Sequence, residues 1–258
     1  MYKGYNLDIF FNQNEINEYH EVGLSIYEAD RKLVRESLEK YKNKDNTIDG
    51  SKLQASWFPS VKSHVFLSHS HKDKDSTALT LAGWLYKKLK IKSFIDSCIW
   101  GYAGNLLQMI DNTYCWSDSK KETYNYTKRN YSTSHVYMML SIALSSMIEQ
   151  TECLIFLNTP NSITPDDEID KTLSPWIYSE IAMSKIIRTR TISEYRKTQL
   201  KTFSKGLNED ISDSLAVKYD VDLSHLIKMD KKSFNNWVTL KRYDNAHDAL
   251  DTLYHLNS

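Results

Sequence analysis

The chain of 258 residues is 41% hydrophobic and 26% charged, with 33 Lys+Arg balanced by 33 Asp+Glu. That apolar share supports a substantial core and excludes disorder, while the charge balance gives no electrostatic case for nucleic acid or anionic lipid as a partner. Cys98, Cys115 and Cys153, an odd number without a C-x-x-C, indicate neither a disulfide framework nor a thiolate zinc site, so the expected setting is reducing and cytoplasmic.

Met1 to Phe11 is polar and aromatic and lacks the apolar heart of a signal peptide, and no stretch reaches the roughly 18 apolar residues of a spanning helix. From Asn14 to Lys42, apolar residues recur at spacings of three and four, which predicts a long amphipathic helix broken near Gly23. After the aperiodic stretch Asn43–Gly50 the main domain begins. Residues 1–50 thus read as a helical extension outside the core of a domain spanning 51–258.

Within that domain His64–Leu67 predicts a buried strand feeding the polar string Ser68–Asp75, with Asp75 or Ser76 capping a helix through Leu89. A second strand is expected at Ile91–Ile95, ending at Asp96, then a Gly-containing loop and a helix through Ile110. Tyr114–Thr133 is polar and Tyr-rich and reads as an insertion. Met138–Ile148 predicts a helix and Cys153–Leu157 a third buried strand, with Cys98 and Cys153 as small buried hydrophobes. Ser174-Pro175-Trp176 starts a helix reaching about Arg188, with Ser at the N-cap and Pro at the first helical position. Edge strands are expected near Val217–Leu223 and Trp237–Leu240, and a closing helix at Ala246–Leu256. Alternation of strand and helix predicts an α/β fold with a parallel sheet.

Ligands of such sheets bind beyond the carboxyl ends of the strands. There the sequence sets Ser68–Asp75, Asp96, and the loop into the helix of Trp176 and Glu180, which are four apart and so share a helix face. His64-Val65-Phe66-Leu67-Ser68, Phe94-Ile95-Asp96 and Ser174-Pro175-Trp176-Ile177-Tyr178-Ser179-Glu180-Ile181, in this order, resemble a bacterial Toll/interleukin-1 receptor (TIR) domain over about Val61–Arg190. The resemblance implies a flavodoxin-like doubly wound sheet and cleavage of NAD+, as substrate and without a resident cofactor, at its nicotinamide–ribosyl bond. It also implies that Glu180 is catalytic, and that Ser68, His69, Ser70, His71, Asp96, Trp100, Gly101 and Trp176 hold the dinucleotide. The TIR proteins of Thoeris anti-phage systems, whose product signals to a downstream effector, are the relatives it suggests.

Two other readings stand beside this one. His69-Ser70-His71-Lys72-Asp73 is similar to the H-x-H-x-D stem of metallo-β-lactamase-like hydrolases, and His69, His71 and Asp73 are then zinc ligands, although Lys74 replaces the final His of that stem. TIR domains also act as adaptors, and self-association through TIR surfaces or the N-terminal helix is the third expectation. It predicts that residues 1–50 can be deleted without unfolding the core. Neither a G-x-G-x-x-G nor a P-loop follows any strand.

Overall fold

The computed structural model describes residues 1–30, 38–44, 47–95, 97, 103–164, 171–197, 219–220 and 222–256. Five parallel strands form the sheet: β1 (Lys3–Asp8), β2 (Val65–Ser68), β3 (Ser93–Phe94), β4 (Cys153–Leu157) and β7 (Ile227–Asp230), in the order β3-β2-β4-β1-β7. β5 (Lys171–Thr172) and β6 (Tyr219–Asp220) pair antiparallel as a separate ribbon. β2 and β4 are buried at every residue, which is why they read as continuous apolar runs instead of alternating ones. This α/β architecture is compatible with a flavodoxin-like fold.

Helices cover the sheet in two groups. α1 (Gln13–Asp30) lies on α3 (Leu79–Leu89), whose Trp84 ring sits 4.5 Å from Phe234 of α8 (Lys231–Thr239). Trp237 of α8 donates its indole N–H to the Ala249 carbonyl in α9 (Ala246–Leu256) at 2.8 Å. In the second group α5 (Tyr126–Gln150) contacts α2 (Gly50–Trp57), α4 (Ala103–Tyr114) and α6 (Pro175–Ile186). The short α7 (Ile192–Lys197) follows α6. Among the described residues no helix is long and apolar enough to cross a membrane.

Several expectations are corrected. Residues 1–50 are not an extension outside the core: β1 pairs with β4 on one side and β7 on the other, with Tyr5 and Leu7 fully buried. Deleting this segment would remove an interior strand, so the core does not survive without it. The N-terminal helix does not break at Gly23 either. A Cβ on Gly23 would collide with the Leu79 carbonyl, and one on Gly83 with the Tyr19 carbonyl, so the two glycines let α1 and α3 touch backbone to backbone. That helix ends at Asp30, residues 31–37 lie outside the described residues, and Leu38–Tyr41 is a 3-10 turn. Much of the expected insertion is helix, because Asn125 caps α5 by accepting from the Lys128 amide. Its remainder is a small hairpin stacked through Trp116 and Tyr124, with ring centroids 4.1 Å apart. Trp237–Leu240 is no strand: Asp230 caps α8 through the Ser233 amide, and Phe234 and Trp237, three apart, bury one helix face. Of the strand expected over Val217–Leu223, Tyr219–Asp220 is strand in the small ribbon, and residues 217, 218 and 221 lie outside the described residues. Ser174 and Pro175 open α6 as expected, Cys153 is buried and free, as is Cys115, and Cys98 lies outside the described residues.

Candidate functional site

From β2 the chain runs through α3 to β3 on one side, then through α4 and α5 to β4 on the other. The connections therefore diverge between β2 and β4, and a crevice beyond their carboxyl ends is where such sheets take ligands. The register sets Ser68, the last residue of β2, beside Phe156, one residue before the end of β4. Two loops leave here, residues 69–73 and 158–163.

Ser68 is fully buried and donates its hydroxyl to Glu180 Oε2 at 2.6 Å. Glu180 comes from the second turn of α6 and is itself 4% exposed. Because Ser174 caps α6 and Pro175 presets its first turn, the helix start is fixed, and with it the height at which Glu180 meets the strand end. A hydrogen bond to a charged acceptor is worth about 1.5–3 kcal/mol, enough to hold the carboxylate in one orientation.

The two loops are bound to each other by Asp73. Its buried carboxylate accepts from Thr159 Oγ1 at 2.5 Å and from Asn161 Nδ2 at 2.7 Å. Ser162 braces the second loop, donating to the Leu157 carbonyl at 2.8 Å and accepting from the Thr159 amide at 2.8 Å. Sequence reading passed over Thr159, Asn161 and Ser162. The available signal was the polar string Asn158-Thr159-Pro160-Asn161-Ser162 at the end of a buried strand.

The remaining expected residues divide. His69 is buried, with Nδ1 at 3.3 Å from the Leu67 carbonyl and Nε2 at 3.3 Å from Ser97 Oγ. A carbonyl can only accept, so Nδ1 is the donor in the first of these contacts. Ser70 is buried at the start of the turn that returns the Asp73 amide to the Ser70 carbonyl, and His71 is exposed. Trp176 is half-buried and leans on Tyr137 of α5, with centroids 5.8 Å apart, so part of its ring serves the α5–α6 contact. Asp96, Trp100 and Gly101 lie outside the described residues.

The zinc expectation fails on geometry. His71 points to solvent while Asp73 is turned to Thr159 and Asn161, and among the described residues no group of three His, Cys, Asp or Glu side chains is placed to hold a metal ion.

Fold and site together define an α/β protein whose parallel sheet buries a serine–glutamate pair at its divergence point. Comparison with protein-family models, curated proteins and solved structures finds no match to this chain.

Proposed function

We propose that the chain is a TIR-type NAD+ nucleosidase, working in the cytoplasm as part of anti-phage defence, with Glu180 as its catalytic residue. The observation that carries this reading is the Ser68–Glu180 hydrogen bond of 2.6 Å at the carboxyl end of the sheet, where a carboxylate is both buried and oriented. Nicotinamide in NAD+ is already a cationic leaving group and needs no general acid. The C1′–N bond breaks with its electron pair going to the pyridine nitrogen, and positive charge builds on the ribose.

Glu180 orients the ribose hydroxyls and stabilises that charge, as one carboxylate does in glycoside cleavage. Ser68 keeps Oε2 fixed, and the loops joined through Asp73 flank the dinucleotide. Water attacking C1′ and losing its proton completes hydrolysis to ADP-ribose, and an internal or external nucleophile in place of water gives cyclic or conjugated products for a downstream effector.

Nicotinamide release, followed by chromatography with mass analysis of the second product, tests the reading. The wild-type chain is expected to release nicotinamide and an ADP-ribose-class product in equal amounts, and Glu180→Gln to do so at least about 10³-fold more slowly, as for loss of a central electrostatic group. Wild-type protein that leaves NAD+ intact at high concentration and under crowding overturns the reading. Association without catalysis is a second reading, favoured by a single observation, the exposed apolar stripe on α5.

A further inference from the structure

Helix α5 buries Val136, Ala143, Leu144, Met147 and Ile148 in the core. On another face, Tyr131, His135, Met138 and Ile142 follow one another at spacings of four, three and four, and all are exposed: Tyr131 by 70%, Met138 by 59% and Ile142 by 50%. A solvated face would carry charge at these positions. Apolar residues at heptad spacing are instead the mark of a helix–helix seam. The amino-terminal half of the stripe borders a cleft of about 1110 Å³ between α2, α4 and α5, walled by Leu53, Ile110 and Met139, with Tyr131 and His135 at its edge.

We propose that this stripe is a homodimer seam, α5 of one copy packing antiparallel on α5 of a second. A twofold contact requires a patch that complements itself. With the axis between His135 and Met138, Tyr131 meets the second copy's Ile142 and His135 meets its Met138, so each large ring faces an aliphatic chain. Ser134, Ser141 and Ser145 flank the stripe and let the helices approach.

Charge fixes the direction. Lys128, one turn before Tyr131, is exposed and in no ion pair among the described residues. Helical side chains lean toward their own amino terminus, which in the antiparallel pair carries the Lys128 ammonium toward the second copy's Glu149. Glu149 is half-buried and already bound through Oε1 by Arg190, so it is an ordered acceptor. A parallel pair would set Lys128 against Lys128 and Tyr131 against Tyr131. The seam from Lys128 to Glu149 is about 30 Å long. The cleft rim lies alongside it.

Sedimentation velocity of the full chain over about 1–100 μM is expected to show a dimer at the upper concentrations. Met138→Glu and Ile142→Glu are each expected to weaken the dimer by about tenfold or more while leaving the unfolding curve in place, because both side chains are exposed in the single chain. Orientation is read separately: under oxidation, Tyr131→Cys mixed with Ile142→Cys should form a cross-chain disulfide, and Tyr131→Cys alone should not. A monomer at 100 μM, a dimer indifferent to both Glu variants, or Tyr131→Cys linking to itself overturns the proposal.

Discussion

Each end of the parallel sheet buries a glutamate, one at the amino ends and one at the carboxyl ends. At the amino ends Glu152, 3% exposed, is gripped by the Arg196 guanidinium at 3.0 and 3.3 Å, with His247 3.7 Å away. The same guanidinium reaches Asp251 at 2.7 and 3.1 Å. At the carboxyl ends Glu180, 4% exposed, takes the Ser68 hydroxyl. A guanidinium clamp is a permanent partner, costly to break. A hydroxyl is a partner of the same chemical kind as the ribose hydroxyls a substrate would bring. Burial of a carboxylate therefore does not mark a reactive site by itself; its place does, since open parallel sheets take ligands beyond the carboxyl ends of their strands.

The sharpest way to break this contrast is to neutralise both carboxylates in turn. If Glu180 is reactive and Glu152 structural, Glu180→Gln costs about 10³-fold in nicotinamide release, whereas Glu152→Gln leaves the turnover of folded enzyme within about twofold. Equal losses from the two would erase the distinction. Next in size, Glu152→Ala should lower unfolding free energy by about 2–3 kcal/mol in urea titration. That is at or below the low end for a broken buried pair, because Arg196 stays a quarter exposed and keeps Asp251.

Ser68→Ala removes a charge-assisted bond of about 2 kcal/mol. It is expected to slow release by about 10–50-fold, through kcat more than KM, because the bond orients the carboxylate. A change confined to KM would assign Ser68 to substrate binding instead.

The smallest effect distinguishes the two ends by pH. Burial pushes the His64 imidazole down from its ordinary 6.5 to about 4, with the nearby charges of His247 and Lys62 adding to the effect. Folded His64 thus stays neutral where the unfolded chain takes up a proton. Its contribution is intact above pH 6.5 and is lost as pH falls toward 4, about 1–2 kcal/mol by about pH 5.5. His64 Nδ1 accepts the Lys92 amide at 3.0 Å. Asn offers an oxygen in that place, so His64→Asn should flatten this part of the acid unfolding profile.

Those elements whose signals are local were legible in the sequence. Val65–Ser68 and Cys153–Leu157 are apolar runs cut off by polar loops, Ser174-Pro175 is a helix start, and Glu180 follows from it at a fixed rotation. β1 was missed because Gly4 and Asn6 are poor strand formers, and the alternation of Tyr5, Leu7 and Ile9 was the overlooked cue. Gly4 is tolerated there because Leu226 occupies the space of its side chain. Gly23 read as a helix breaker because the partner that needs it, Gly83, is sixty residues away and visible only once α1 and α3 meet. Asp73 read only as part of a polar string or as a zinc ligand for the same reason, since its partners Thr159 and Asn161 arrive from another strand.

The placing of Lys3–Asp8 between Cys153–Leu157 and Ile227–Asp230 has a consequence for biosynthesis. That strand leaves the ribosome about 145 residues ahead of one neighbour and about 219 ahead of the other. Until those emerge its amide edges are unsatisfied, so the nascent chain is prone to chaperone capture and to mispairing, and closure of the sheet is a late event set by loop entropy.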